Sequence, residues 1–212
     1  MFSQNEEEKY IIDFFKDVVG KKCLLSIGEN DGKTLSNSFR LIELNTEVEN
    51  GWLADLIEPS PIAFEKLQSL HTINLANVKC FQLAIGTESG IMDFHESGTH
   101  LGKGDTSLLS TLVPQEKERW KDTEWNVIPV QVLTYADFKS DTPYEYDFIS
   151  IDAEGLDIEI LKQIDLTHTK LLCIEWNSIE QNKIDILEYT SKFGMTKILY
   201  QSGENLLICR EQ

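Results

Sequence analysis

Four short, nearly unbroken apolar runs in this chain each stop at an acid. KCLLSI runs into Gly28 and Glu29, GWLADLI into Glu58, YDFISI into Asp152, and KLLCI into Glu175. Runs of four to eight apolar residues without polar alternation suit strands buried on both faces, as in parallel sheets covered by helices. Such a sheet binds its ligand beyond the carboxyl ends of the strands, where the strand order reverses. Gly28, Glu58, Ala84, Asp152 and Glu175, at or just past strand ends, are therefore the first candidates for function.

The segments between these runs carry helical period. Tyr10, Ile11, Phe14, Phe15 and Val18 predict a helix over 6–19, closed by Gly20. A second helix is expected over 34–44. A third is expected in PIAFEKLQSL, with proline in its first turn, and others in LDIEILKQI and over 180–193. VKCFQLAIG (78–86) predicts a third strand, IMDFHE a short extra one, and VIPVQVLTYADF (127–138) another strand region. MTKILYQ and NLLICRE, separated by SGE, predict a closing hairpin with Gly203 in the turn. Period fails between 96 and 126, apart from a helical turn in PQEKERWKD, and this stretch is expected to lie over the active site.

At 212 residues the chain suits a single domain, 1–212, whose first 20 residues are an N-terminal helix. No stretch approaches the roughly 20 apolar residues that span a bilayer, and MFSQNEEEKY lacks the basic-then-apolar pattern of an export signal. A soluble, cytoplasmic protein is expected, with no membrane partner. The net charge of −17 repels polyanions, so nucleic acid is not an expected partner. Cys23, Cys80, Cys173 and Cys209 have no metal or redox spacing and read as reduced, buried thiols.

The loop after the first run, GENDGKT, lets the chain turn at Gly28 and Gly32 and lets a ligand approach the main chain. Glu29 and Asp31 would repel a phosphate. Glu58 follows Gly32 by 26 residues at the end of the next strand, where an acid accepts hydrogen bonds from both ribose hydroxyls of a nucleoside. A nicotinamide dinucleotide needs G-x-G-x-x-G for its pyrophosphate, which this loop lacks. S-adenosylmethionine has no phosphate and carries cationic sulfonium and ammonium groups, so an acidic pocket suits it.

SIGENDGKTLS, GWLADLIEPSPIAFEKLQ, LAIGTESGIMDF, LTYADF and above all YDFISIDAEGLDIEIL resemble, in order, the FkbM family of S-adenosylmethionine-dependent methyltransferases. The resemblance covers about residues 22–210. It implies a class I, Rossmann-like methyltransferase fold: a seven-stranded, mostly parallel sheet with an antiparallel C-terminal hairpin and helices on both faces. It further implies methylation of a hydroxyl on a small molecule or saccharide. Under it, Gly28, Asn30 and Gly32 line the methionine and ribose portion and Glu58 holds the ribose. Gln82, Leu83 and Ala84 flank adenine, and Asp152 lies near the methionine end and the acceptor. Ser26 departs from the family, which usually has an acid there to hold the cofactor's ammonium, and Glu29 is the candidate to replace that charge.

Transfer to a hydroxyl needs a proton acceptor, and Asp152, Glu154, His95 and His100 are the candidates. Glu154 reads equally as an early helix residue. His100 and Lys103 sit in the aperiodic stretch, where Lys103 would meet an anionic acceptor group if it is more than solvated charge. Trp176 is the one tryptophan read as a substrate contact. Asp152 with Glu175 and Asn177 is placed as the ligands of magnesium-dependent catechol-type methyltransferases are, but CIEWN reads better as a pocket wall and helix cap, so a divalent metal is not favoured. Two other classes remain: a nucleoside-binding relative without turnover, motivated by Ser26, and a nicotinamide or nucleotide-sugar enzyme.

Overall fold

A computed structural model describes residues 1–44, 51–71, 77–99 and 106–211. Its main sheet is built from β1 (Lys22–Ile27), β2 (Trp52–Ile57), β3 (Val78–Phe81), β7 (Phe148–Ile151), β8 (Leu171–Glu175), β9 (Met195–Gln201) and β10 (Asn205–Arg210). The strand order is β3-β2-β1-β7-β8-β10-β9. β3, β2, β1, β7 and β8 run parallel, and β10 is antiparallel to both β8 and β9. This is the seven-stranded sheet with a reversed terminal hairpin that the sequence implied.

The solid apolar runs are explained by two separate cores. Alternate residues of each strand enter opposite clusters: Leu25, Ile27, Ile149, Ile151, Leu172 and Ile174 on one face, Leu24, Leu56, Phe148, Leu171 and Cys173 on the other. Period 2 places neighbours on opposite sides, so a strand covered twice must be apolar at nearly every position. The second face is covered by α1 (Glu7–Phe15), α2 (Phe39–Glu43) and α3 (Pro61–Leu70), through Ile11, Phe15, Leu41, Ile42 and Leu67. The first face is covered by α4 (Tyr135–Ser140), α5 (Asp157–Leu161) and α6 (Glu180–Ser191), through Phe138, Ile160, Leu161 and Ile186. Cys173 and Cys209 are buried, Cys23 and Cys80 half-buried, and all four are free thiols.

Four expectations are corrected. Residues 34–38 are not helical: Leu35 is left-handed at φ 58°, and its backbone bridges to Ser3. Ser36 and Ser38 turn their hydroxyls onto the carboxylate of Glu29, at 2.6 and 2.8 Å. Such side-chain bonds offer serine an alternative to the helix, so only Phe39–Glu43 winds. The run 78–86 is two strands: after β3 the chain leaves the main sheet, and β4 (Ala84–Ile85) pairs with β6 (Trp125–Leu133). Ala84 thus opens a strand and does not end one. The third correction is within 127–138, where the strand stops at Leu133 and Thr134 caps α4, its Oγ1 accepting from Asp137 N at 3.1 Å. α1 is also shorter than 6–19.

β4, β6 and β5 (Gly90–Ser97) form a second, three-stranded sheet in the order β4-β6-β5. A 3-10 helix, Pro114–Arg119, supplies the expected helical turn between β5 and β6.

Candidate active site

The strand order reverses between β2 and β7, which flank β1, and a cavity of about 370 Å³ lies beyond the carboxyl ends of these strands. Gly28, Glu29 and Asn30 after β1, Glu58 and Pro59 after β2, Asp152 to Glu154 after β7, and Glu175 at the end of β8 all line it. Parallel strands deliver these residues to one edge because they all point the same way.

The two loop glycines serve the fold. Gly28 is left-handed at φ +79°, and a Cβ there would lie 1.8 Å from the carbonyl oxygen of Asp152. What approaches so closely is the neighbouring strand's backbone. Gly32, at φ +80°, packs on α3, where a Cβ would meet Leu67 Cδ1 at 2.6 Å, and it does not line the cavity. Asp31 folds the turn between them and beyond, its carboxylate accepting from Lys33 N, Thr34 N and Thr34 Oγ1 at 2.7–2.9 Å.

Glu58 is held rigidly. Its Oε2 accepts from Asn30 N at 2.9 Å and its Oε1 from Ser60 N at 2.7 Å. The side chain is 4% exposed, and burial raises its pKa to about 8 against the opposing pull of those two amide bonds. Asn30, at φ 51°, also donates from Nδ2 to the Thr106 carbonyl at 3.3 Å, tying the glycine loop to the segment between β5 and β6. Glu29 is buried behind it; beyond Ser36 and Ser38, the Ser26 hydroxyl also bonds its carboxyl, whose pKa burial nonetheless raises.

After β7 the chain makes a tight loop. Asp157 Oδ1 accepts from Ala153 N at 2.8 Å and Oδ2 from Gly155 N at 3.2 Å, while Thr111 Oγ1 donates to the Glu154 carbonyl at 2.7 Å. Glu154 is left-handed at φ 46°. Asp152, Glu154 and Glu175 each bring a carboxylate oxygen within 4.8 Å of the others. Burial comes first for all three, followed by repulsion from neighbouring acids: Asp157 and Glu29 help raise Asp152 to about 7, while Asp152 and Asp157 help lift Glu154 and Glu175 well above the usual carboxylate range. Asp157 is raised to about 6, again chiefly by burial.

Among the described residues, six non-glycine positions are left-handed: Asn30, Leu35, Ser107, Glu154, Asn177 and Ser178. All six line this cavity. Conformations that side chains resist, gathered around one cleft, mark a site whose shape is imposed by its surroundings.

The expected site residues fare unevenly. Gly28, Glu29, Asn30, Glu58, Ala84, Asp152 and Glu154 line the cavity. Gly32, Gln82 and Leu83 do not: Gln82 is exposed and Leu83 belongs to the core. His95 sits in β5 bonded through its backbone to Thr111, away from the cavity lining. Trp176 is a core residue whose Nε1 donates to the Ser202 carbonyl at 3.0 Å, and Trp120, following the 3-10 helix, lines the cavity in its place. His100 and Lys103 lie outside the described residues. Sequence reasoning missed Gln4, Phe94, Arg119 and Glu204, which reach the cavity from four distant parts of the chain. From the aperiodic segment, Ser107, Leu108, Leu109, Ser110 and Leu112 line the cavity.

Sheet order, reversed hairpin and the site at the β1–β7 switch together define a class I methyltransferase fold. The crystallised METTL16 methyltransferase domain is similar at TM-score 0.51 and 12% identity, with 94% of this chain covering 64% of that one. A shortened form of that domain matches at the same score and identity, over 99% of this chain and 84% of the other. No curated protein matches the chain. The methyltransferase FkbM domain matches residues 26–196, and the chain belongs to that family. The matched domain is a methyltransferase domain. No described helix is long and apolar enough to cross a membrane.

Proposed function

We propose that the protein transfers a methyl group from S-adenosylmethionine to a hydroxyl of a small molecule or saccharide. The observation that carries this reading is the fixed carboxylate of Glu58 at the end of β2, beside Gly28 and Asn30 on the cavity wall. Its two oxygens are oriented by backbone amides and keep lone pairs for the two ribose hydroxyls. Ala84 and Ile85 give the adenine an apolar wall, and Glu29 is the acid for the methionine ammonium, which would favour its charged form together with the Ser26, Ser36 and Ser38 hydroxyls against the pull of burial.

Methyl transfer is an in-line displacement at the sulfonium methyl by the acceptor oxygen, so the protein contributes alignment and a proton acceptor. Asp152 and Glu154 face the cavity where the acceptor hydroxyl would sit, and either can take its proton. Leu109, Leu112 and Trp120 from the segment between β5 and β6 give that end a partly apolar cover. With Glu154, Glu175 and Glu204 on the same wall and a net charge of −17, an uncharged hydroxylated acceptor suits the site better than a polyanion.

The test is calorimetric titration with S-adenosylmethionine, its demethylated product and NAD, followed by labelled methyl transfer to a panel of sugars and small alcohols. Binding of the first two but not NAD, with transfer to a hydroxylated acceptor, is the expected result. Binding without turnover on any acceptor, or preference for NAD, overturns it. Glu29→Ala should weaken cofactor binding at least tenfold, and an unchanged dissociation constant removes Glu29 from the cofactor site.

A further inference from the structure

We propose that Asp152, Glu154 and Glu175 bind a divalent cation of the hard, oxygen-seeking kind at the β7–β8 side of the cavity. One carboxylate oxygen from each lies within 4.8 Å of the other two. Two oxygens that share a magnesium, manganese or calcium ion at about 2.0–2.6 Å each are separated by up to about 4–5 Å, so the cluster has the span such an ion needs.

A gathering of acids alone would mean little. The independent observation is Glu175 Oε2, which is buried and has no hydrogen-bond partner among the described residues. Glu175 as a whole is 8% exposed, and the Asn177 side chain bonds its carboxyl without satisfying this oxygen. A buried carboxylate oxygen with nothing to accept from is costly, on the order of a few kcal/mol, and is rarely retained without a ligand to fill it. No hydrogen bond from a protein cation fills it, although the Arg119 charge is near enough to act on Glu154 and Glu175. Arg119 faces the cluster, but its guanidinium donates to Glu116 at 2.7 Å.

The backbone also imposes the cluster. Glu154 is held left-handed at φ 46°, clamped by Thr111 on its carbonyl and by Asp157 on the amides either side of it. Asn177 and Ser178, just past Glu175, are left-handed at φ 54° each. Both loops are thus set to bring like charges together, where relaxed loops would let them part. Three carboxylates with no thiolate or imidazole select a hard cation over zinc or copper. The sequence had paired Asp152 with Glu175 and Asn177 and set the metal aside. In the structure Glu154 takes the third place and Asn177 supports Glu175 from behind. Such an ion would supply charge that holds an acceptor oxygen and weakens its grip on its proton, and the second carboxylate oxygen of Asp152 or Glu154, which the ion does not need, would remain to accept that proton.

The test uses the full chain without cofactor or acceptor, so its failure leaves the methyl-transfer reading untouched. Mn²⁺ binding is followed by electron paramagnetic resonance, and Mg²⁺ and Ca²⁺ binding by calorimetry and by the rise in melting temperature. The wild-type protein is expected to take up one Mn²⁺ per chain, and Glu175→Gln to bind it at least tenfold more weakly, while the exposed Glu65→Gln on α3 behaves as wild type. If Glu175→Gln fails to fold by circular dichroism, Glu154→Gln replaces it with the same expectation. Absence of saturable binding to the wild type, or equal affinity in the cluster variant and Glu65→Gln, overturns the proposal.

Discussion

Replacing Glu58 by glutamine separates its charge from its shape, and the structure fixes what should follow. In the folded chain its pKa is raised from 4.5 to about 8, with burial as the largest cause. Below about pH 4.5 the side chain is neutral in both folded and unfolded chains. Above that value the unfolded chain loses the proton and the folded chain keeps it until about pH 8, so folding becomes less favourable as pH rises through this window. At about 1.4 kcal/mol per pH unit, the wild type loses on the order of 5 kcal/mol of stability there from this group alone. Glutamine does not titrate.

The variant has its own cost, which does not depend on pH. A glutamine oxygen can accept from Asn30 N or Ser60 N, but its amide then faces the other donor, leaving one buried N–H unpaired at about 1–3 kcal/mol. Glu58→Gln should therefore be less stable than wild type at pH 5 and more stable at pH 8, with the curves crossing between about pH 5 and 7. Urea unfolding followed by tryptophan fluorescence, at half-unit steps from pH 5 to 8.5, measures the difference directly. A difference that stays constant across that range would refute the claim that Glu58 is desolvated in the fold.

The same residue predicts cofactor linkage: ribose hydroxyls donating to Glu58 favour its charged form, so affinity for S-adenosylmethionine should rise with pH towards about 8, and calorimetry in buffers of different ionisation heat should detect proton release that Glu58→Gln lacks. Gly28→Ala should cost well over 3 kcal/mol, because its Cβ would overlap the Asp152 carbonyl, whereas Gly194→Ala, at φ +74° with nothing within 4 Å, should cost only about 1–2 kcal/mol; equal losses in urea titrations would remove the steric argument. Ser38→Ala should destabilise the fold by about 1–3 kcal/mol by taking a hydroxyl from the buried Glu29 Oε1, and the loss should shrink in a Glu29→Gln background if the bond is the cause.

The sheet was legible because its constraint is local and repeated. Leu24 and Leu25 must both be apolar since they enter different cores, and the same holds for Phe148 with Ile149 and Leu171 with Leu172. The helix wrongly expected over 34–38 failed on a long-range fact: Ser36 and Ser38 look like tolerable helix residues until Glu29 is folded back beside them. The break between Phe81 and Ala84 was hidden for a related reason. Both halves are apolar, and only the partner strand, β2 for one and β6 for the other, separates them. Gln4, Arg119 and Glu204 have no motif around them, and their presence in the cavity follows from where the N-terminus, the 3-10 helix and the terminal hairpin come to rest.

Gly28 shows why a motif can point to the right place for an incomplete reason. Its missing side chain admits the Asp152 carbonyl, and that contact draws the ends of β1 and β7 together. Asp152 N in turn donates to the Ile27 carbonyl at 3.0 Å, so the acid that follows β7 is positioned by the residue preceding the glycine. Asn30 N then reaches Glu58, fixing β2's acid to the same turn. One glycine loop therefore sets two carboxylates from different strands on a shared wall. A substitution at Gly28 should disturb cofactor and acceptor ends together, even though no ligand need touch the position of the missing Cβ.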